Sequence, residues 1–171
     1  MAFKERGGII AETEMLNGDG LRVVLFVSGC NHHCPQCQNP QTHAIDSGIL
    51  FDQSALNELK QELQKDYIAG ITFSGGDPLH PSNRETVTAI IWALSDIIKN
   101  QHKTVWIYTG YQWDEVKNEL AVRLADVLVD GEFNPELLDV NYPWAGSTNQ
   151  RVIDVQKSLA AGQVILHTGK D

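Results

Sequence analysis

Short apolar runs and helical apolar stripes alternate along the chain, and this pattern predicts strands that alternate with helices. The run from Leu21 to Ser28 is rich in β-branched and aromatic residues and stops at Gly29, which predicts a buried strand. Similar short runs predict further strands at 71–73, 105–108, 127–129, 151–153 and 163–166.

Helices are predicted between these runs. Asp52 can cap a helix whose leucines recur at helical spacing before the chain reaches Gly70. Ser82 and Glu85 have the spacing of a capping box, and a long apolar stripe after them predicts a second helix. The residues of that stripe are Val87, Ile90, Ile91, Leu94, Ile97 and Ile98. A third helix is predicted over 114–124.

The alternation predicts an α/β fold with a mostly parallel sheet and right-handed crossovers. The length of 171 residues suits a single domain spanning 1–171. Ligands of such a sheet gather at the carboxyl ends of its strands. The residues that directly follow the first two parallel strands are therefore the first candidates for a functional site.

The charge balance narrows the possible partners. The chain has 13 Lys and Arg against 22 Asp and Glu, a formal net charge of -9. It has no basic run with which to bind phosphates, so nucleic acid is not expected as a partner. No apolar stretch has the length of a signal-peptide core or a membrane span, so we expect a cytoplasmic protein that does not enter membranes.

All three cysteines fall within one short segment, as Cys30, Cys34 and Cys37, directly after the first predicted strand. The polar, proline-containing sequence around them predicts an ordered loop. An odd number of cysteines in a reducing compartment favours a metal or cluster site over disulfides. Three thiolates leave one iron of a 4Fe-4S cluster without a protein ligand, whereas His32 or His33 as a fourth ligand would complete a structural zinc site.

A glycine-rich turn follows the next predicted strand, just as the cysteine loop follows the first. Its sequence is Ser74-Gly75-Gly76-Asp77-Pro78. Because glycine has no Cβ, the backbone there can approach a ligand closely, and Asp77 adds charge. Tight strand-to-helix turns use glycine as well, but the position beside the cysteine loop favours ligand binding.

The C-x3-C-x2-C loop followed by a Gly-Gly-acid-Pro turn resembles the radical-SAM enzymes over most of the chain. The resemblance implies a partial (β/α) barrel and a 4Fe-4S cluster held by Cys30, Cys34 and Cys37. It also implies that the open iron binds S-adenosylmethionine (SAM), whose reductive cleavage gives a 5′-deoxyadenosyl radical. The residues expected to contact SAM are Gln36, Cys37, Gln38, Gly75, Gly76, Asp77 and Thr109. Many members carry an aromatic residue at the position of Gln36, so here the contact is expected from the backbone.

Within that superfamily the chain resembles the activating proteins of anaerobic ribonucleoside-triphosphate reductase. The segments that carry the likeness are 17–20, 25–30, 74–81, 108–111, 128–131 with Phe133, and 146–151. The likeness implies that the radical removes hydrogen from the Cα of a glycine in the large catalytic subunit of the reductase. It also implies a low-potential electron donor such as a flavodoxin. We expect the polar segment 130–151 to form part of the surface that meets the reductase.

Two other interpretations fit the same residues. A small radical-SAM enzyme that acts on a free metabolite, such as a deazaguanine synthase, has a comparable Gly-Gly-acid-Pro turn. A Cys3His zinc-binding interaction module would need only the cysteine loop and would hold about one zinc per chain.

Overall fold

One six-stranded sheet organises the chain, and its spatial strand order follows the sequence. The computed structural model describes residues 8–14 and 17–169. The strands are β1 (Gly8–Glu14), β2 (Arg22–Val27), β3 (Gly70–Gly75), β4 (Thr104–Tyr108), β5 (Val127–Asp130) and β6 (Arg151–Asp154). The helices are α1 (Gln53–Leu63), α2 (Arg84–Ala93), α3 (Ser95–Asn100), α4 (Trp113–Val116), α5 (Leu120–Leu124) and α6 (Val155–Ala161), and single 3-10 turns lie at Pro40–Thr42 and Pro135–Leu137.

Strands β2 to β5 are parallel, while β1 and β6 pair antiparallel with their neighbours at the two edges. This arrangement confirms the predicted α/β fold with a mostly parallel sheet. The register pairs Val27 with Gly75, which are the last residues of β2 and β3. The loop with the cysteines and the turn with the glycines therefore leave the sheet side by side. The closure of a partial barrel stays a prediction.

Side chains alternate between the two faces of the sheet, as a pleated strand requires. On β4, Val105 and Ile107 belong to the main core, whereas Trp106 and Tyr108 lie in a smaller cluster on the other face. The helical residues in the main core include Leu56, Leu59, Leu63, Val87, Ile90 and Ile91. The apolar positions at helical spacing thus face the sheet, as predicted. None of the described helices is long and apolar enough to cross a bilayer.

The face opposite the main core contains a fully buried arginine at the start of β2. Arg22 donates hydrogen bonds of 2.8 Å to the hydroxyls of Thr72 and Thr104. It also donates to the carbonyl oxygens of Ile71 and Thr104, and its guanidinium lies 5.4 Å from the centre of a Trp106 ring. Burial lowers the pKa of Arg22 to about 10, so the side chain stays charged at neutral pH. One cation therefore ties together the amino ends of β2, β3 and β4.

Two predicted helices are each broken into two. The stripe predicted as one helix runs through α2 and α3, which Leu94 separates. Leu94 is itself fully buried, so the apolar periodicity continues through the break without a signal. The helix predicted over 114–124 is divided into α4 and α5 by Glu119, whose backbone is extended. Glu119 pairs with Arg84 at 2.6 Å, a tertiary contact that local spacing does not reveal.

The predicted capping box of Ser82 and Glu85 is wrong. Helix α2 begins at Arg84, and its N-cap residue Asn83 makes no side-chain capping bond. The Asn83 side-chain amide instead donates to the carbonyl oxygens of Ser28 (2.9 Å) and Asp77 (3.0 Å). A tertiary contact between the two functional loops therefore replaces the local cap.

The other differences lie at the edges of the sheet. Prediction of a strand over 163–166 is wrong, because only an isolated bridge joins Leu166 to Ile153 of β6. Leu166 is half-exposed, whereas Val164 of the same segment packs against the main core. Strand β1 and helix α6 were not predicted from the sequence.

Candidate functional site

A cavity of about 390 Å³ opens at the carboxyl ends of the four parallel strands. Its walls include a residue from the segment after each strand: Cys30 after β2, Gly76 after β3, Thr109 after β4 and Gly131 after β5. Ligands of parallel α/β sheets bind at this edge. The structure therefore brings the cysteine loop and the glycine turn together where the sequence predicts them.

The cysteine loop is wrapped and anchored mainly by its own backbone. Cys30, Cys34 and Cys37 are free thiols, all half-buried and all lining the cavity. His33 and Gln36 adopt left-handed backbone conformations, with φ of 53° and 54°, which turn the chain between successive cysteines. The loop is closed by a Cys30 N–H bond to the carbonyl of His43 (3.0 Å) and a Gly29 N–H bond to that of Thr42 (2.8 Å).

Each cysteine sulfur lies near a backbone N–H group, and the pairs are Cys30 with His32, Cys34 with Phe133, and Cys37 with Asn39. The Asn39 contact is 3.4 Å long. Burial raises the pKa of Cys30 and Cys34, and the nearby amides oppose that rise. Amide hydrogen bonds to sulfur are among the contacts that proteins use to hold and tune iron-sulfur clusters. The donor set therefore fits such a cluster.

The geometry does not fit a compact zinc site. Zinc with bonds of about 2.3 Å to sulfur needs its tetrahedral sulfurs about 3.8 Å apart. Across 8–14 and 17–169, no three His, Cys, Asp or Glu side chains are arranged to hold one metal ion. The three cysteines line one cavity as free thiols.

The glycine turn packs directly against the backbone of the cysteine loop. Gly75 has φ of 99°, and a Cβ there would lie 2.7 Å from backbone atoms of Val27. A Cβ on Gly76 would lie 2.6 Å from the carbonyl oxygen of Gly29 and 2.9 Å from that of Thr42. Only glycine permits this approach, so both glycines are required to bring the loops together.

Asp77 directs its carboxylate into the protein. The side chain is buried and accepts hydrogen bonds from the Leu79 N–H (2.8 Å), the Thr109 hydroxyl (2.8 and 3.0 Å) and the Gly110 N–H (3.0 Å). A fourth partner is His32, whose Nε2 lies 2.6 Å from Asp77 Oδ2. The polar atoms of Asp77 and Thr109 are thus bonded to each other. Contact of either residue with SAM stays a prediction.

The predicted SAM-contacting residues differ in their positions. Cys37, Gln38, Gly75, Gly76, Asp77 and Thr109 line the cavity, whereas Gln36 is exposed and lies outside its lining. The backbone around Gln36 shapes the loop, and the roles of all seven residues stay predictions.

Sequence reasoning missed the residues that join the loops from a distance. The His32 ring bridges Asp77 and Glu132, with Nδ1 3.0 Å from Glu132 Oε1. The hydrogen bond to Asp77 raises the pKa of His32, although burial opposes the rise. Phe133 and Gln150 also line the cavity. Glu132 and Phe133 directly follow β5, and this position was the one feature of the sequence that could have identified them as site residues. No local pattern identifies His32.

Comparison with known proteins agrees with this geometry. The family described as a 4Fe-4S single cluster domain matches residues 16–153. Three similar proteins are named anaerobic ribonucleoside-triphosphate reductase-activating protein. That of Enterobacteria phage T4 is 39% identical over 140 residues, covering 81% of this chain and 87% of the phage protein. That of Haemophilus influenzae is 40% identical over 144 residues, covering 81% of this chain and 90% of its own length. That of Escherichia coli K12 is 38% identical over 143 residues, covering 81% of this chain and 92% of its own length. The chain therefore belongs to the family of anaerobic ribonucleoside-triphosphate reductase-activating proteins, with a single-cluster 4Fe-4S domain.

Proposed function

We propose that this chain is a radical-SAM activase that leaves a glycyl radical on anaerobic ribonucleoside-triphosphate reductase. The observation that carries the proposal is the set of three free cysteines that share one cavity with the glycine turn. The chain has no fourth cysteine, so one iron of a 4Fe-4S cluster held there keeps a position open for SAM.

Together the cluster and SAM supply the one-electron chemistry. One electron from a low-potential donor, such as a flavodoxin, and one SAM yield methionine, 5′-deoxyadenosine and a glycyl radical after loss of the Cα hydrogen. The protein contributes binding, orientation and exclusion of water. The cavity of about 390 Å³ falls within the roughly 300–1,000 Å³ typical of ligand pockets. Gly75 and Gly76 line the cavity wall, and their backbone is where the amino end of SAM is expected to bind.

The segment 130–151 has the properties needed to receive the glycine-bearing loop of the reductase. Its ends are held together by an ion pair between Asp130 and Arg151 (2.5 Å). Gln150 supports its interior, because the side-chain oxygen accepts hydrogen bonds from the Gly146 and Ser147 N–H groups. A preformed loop of this kind loses little conformational entropy on binding.

This segment also presents exposed apolar side chains, and other residues of the same segment line the cavity. Leu138 is 55% exposed and Val140 is 88% exposed, while Phe133 of the same segment lines the cavity wall. Exposed apolar groups next to a functional cleft are typical of protein-protein contact sites. A reductase loop that packs on Leu138 and Val140 would place its glycine toward the cavity.

The proposal is tested by anaerobic incubation of the reconstituted protein with a reductant, SAM and the reductase. We expect brown protein with about four irons per chain and a glycyl doublet in the EPR spectrum of the reductase. SAM cleavage without the doublet would favour a radical-SAM enzyme that acts on a metabolite. Colourless protein with about one zinc per chain would instead identify a zinc-binding module.

A further inference from the structure

We infer that His32 is a positioning residue that locks the cluster-binding loop onto the glycine turn and so sets how the bound cluster faces SAM. This inference rests on the proposed function. It concerns the second of the three residues between Cys30 and Cys34, two of the predicted cluster ligands.

Both nitrogens of the His32 ring are engaged by carboxylates from other loops. Nε2 lies 2.6 Å from Asp77, in the turn after β3, and Nδ1 lies 3.0 Å from Glu132, in the segment after β5. An imidazole bonded at both nitrogens cannot rotate without breaking a charge-assisted hydrogen bond. The ring orientation therefore fixes the backbone between the two cysteines relative to both loops.

The ring is also wedged against the segment that follows β4. A Cβ added to Gly110 would lie 2.6–2.8 Å from three atoms of the His32 ring, so the backbone of Gly110 packs directly on it. The Tyr111 ring meets it edge to face, with the ring centres 4.6 Å apart. One side chain of the cysteine loop thus contacts the loops after β3, β4 and β5.

Loss of this ring leaves the fold intact. Without His32, the Asp77 carboxylate keeps its hydrogen bonds from Leu79, Thr109 and Gly110, so no buried charge is left unpartnered. The backbone bond from the Asp77 N–H to the carbonyl of Gly29 (2.8 Å) is likewise preserved. What is lost is the side-chain connection between the middle of the cysteine loop and its neighbours.

The neighbouring histidine provides a matched control. His33 is exposed, and its ring lies 6.0 Å from that of His43, with no carboxylate partner among the described residues. His33→Ala removes an imidazole from the same loop and leaves the contacts of His32 in place.

The test compares His32→Ala, His32→Gln and His33→Ala with the wild type after anaerobic reconstitution. The measurements are iron per chain, melting temperature, the SAM dissociation constant without reductant, and the change in the EPR spectrum of the reduced cluster when SAM is added. We expect His32→Ala to retain about four irons but to bind SAM about ten-fold more weakly, with a diminished spectral change. His32→Gln should recover most of the affinity, because its amide can still donate to Asp77, and His33→Ala should match the wild type.

Wild-type affinity for SAM in His32→Ala would overturn the inference. Equal loss of iron in His32→Ala and His32→Gln would overturn it as well, since the ring would then serve cluster retention or folding alone. A wild-type protein that holds its cluster but binds no SAM would refute the proposed function itself, which makes the two failures distinguishable.

Discussion

Substitution of Gly76 by alanine tests the close approach of the two functional loops. The backbone of Gly76 is not in the left-handed region, so alanine has no conformational penalty there. The added Cβ would meet the carbonyl oxygens of Gly29 at 2.6 Å and Thr42 at 2.9 Å, whereas ordinary contacts begin at 3.4 Å. The loops must therefore separate by up to 0.8 Å, and neither obstacle is a flexible side chain.

That separation has a calculable cost. The Gly29 oxygen accepts the hydrogen bond from the Asp77 N–H that joins the turn to the loop, and the Thr42 oxygen accepts the bond from the Gly29 N–H that closes the loop, both 2.8 Å long. Overpacking costs about 1–3 kcal/mol, and straining the one hydrogen bond that joins the turn to the loop costs about 1 kcal/mol more. We expect Gly76→Ala to lower the free energy of unfolding by about 2–4 kcal/mol and the melting temperature by about 10 °C. Because Gly29 directly precedes Cys30, the displacement also moves a cluster ligand.

The assay combines thermal unfolding of the metal-free protein with iron retention after a chelator challenge. Gly162→Ala is the matched control, because its Cβ meets nothing within 4 Å but its φ of 69° costs alanine about 1–2 kcal/mol. Both variants are thus destabilised, but only Gly76→Ala should lose iron, at least about ten-fold more readily than the wild type. Wild-type stability and iron retention in Gly76→Ala would refute the close approach of the loops.

Three further experiments test the site, the core and the docking surface. Cys34→Ala should abolish both the visible cluster absorbance and SAM cleavage, whereas His33→Ala should spare both; loss of the metal in His33→Ala would refute the three-thiolate assignment. Arg22→Met should lower the free energy of unfolding by about 3–5 kcal/mol in urea titrations, because it removes the hydrogen bonds that Arg22 donates to hydroxyl and carbonyl groups of β3 and β4; a change within 1 kcal/mol of zero would show that those groups find other partners. The double variant Leu138→Asp with Val140→Asp should weaken binding to the reductase at least about ten-fold by calorimetry while iron stays near four per chain, and unchanged affinity would place the docking surface elsewhere.

Much of the site could be predicted because its parts are local. The strand from Arg22 to Val27 and the glycine turn after β3 have strong patterns of their own, and parallel pairing places the ends of adjacent strands together. Helix α6 was missed although its signals were present. Asp154 caps it through a 3.0 Å bond from the Lys157 N–H, and Gly162 ends it in a left-handed conformation.

Contacts between distant parts of the chain were beyond prediction. His32 lies 45 residues from Asp77 and 100 residues from Glu132, and no periodicity relates such positions. The same limit explains the errors in the helices. Asn83 and Glu119 each depart from the local prediction because a tertiary partner competes with the helical arrangement.

The backbone contacts and the side-chain contacts of the cysteine loop differ in their sensitivity to mutation. The approach of the cysteine loop to the glycine turn consists of backbone hydrogen bonds and missing Cβ atoms, so most side-chain changes in the loop leave it in place. An added Cβ at Gly75 or Gly76 acts on it directly, and so does loss of the Asn83 amide that bonds to both loops. The orientation of the cysteine loop relative to the glycine turn depends on side chains, above all on His32. Substitutions of the glycines should therefore impair both folding and cluster binding, whereas substitutions of His32 should impair the alignment of cluster and SAM in a protein that still folds.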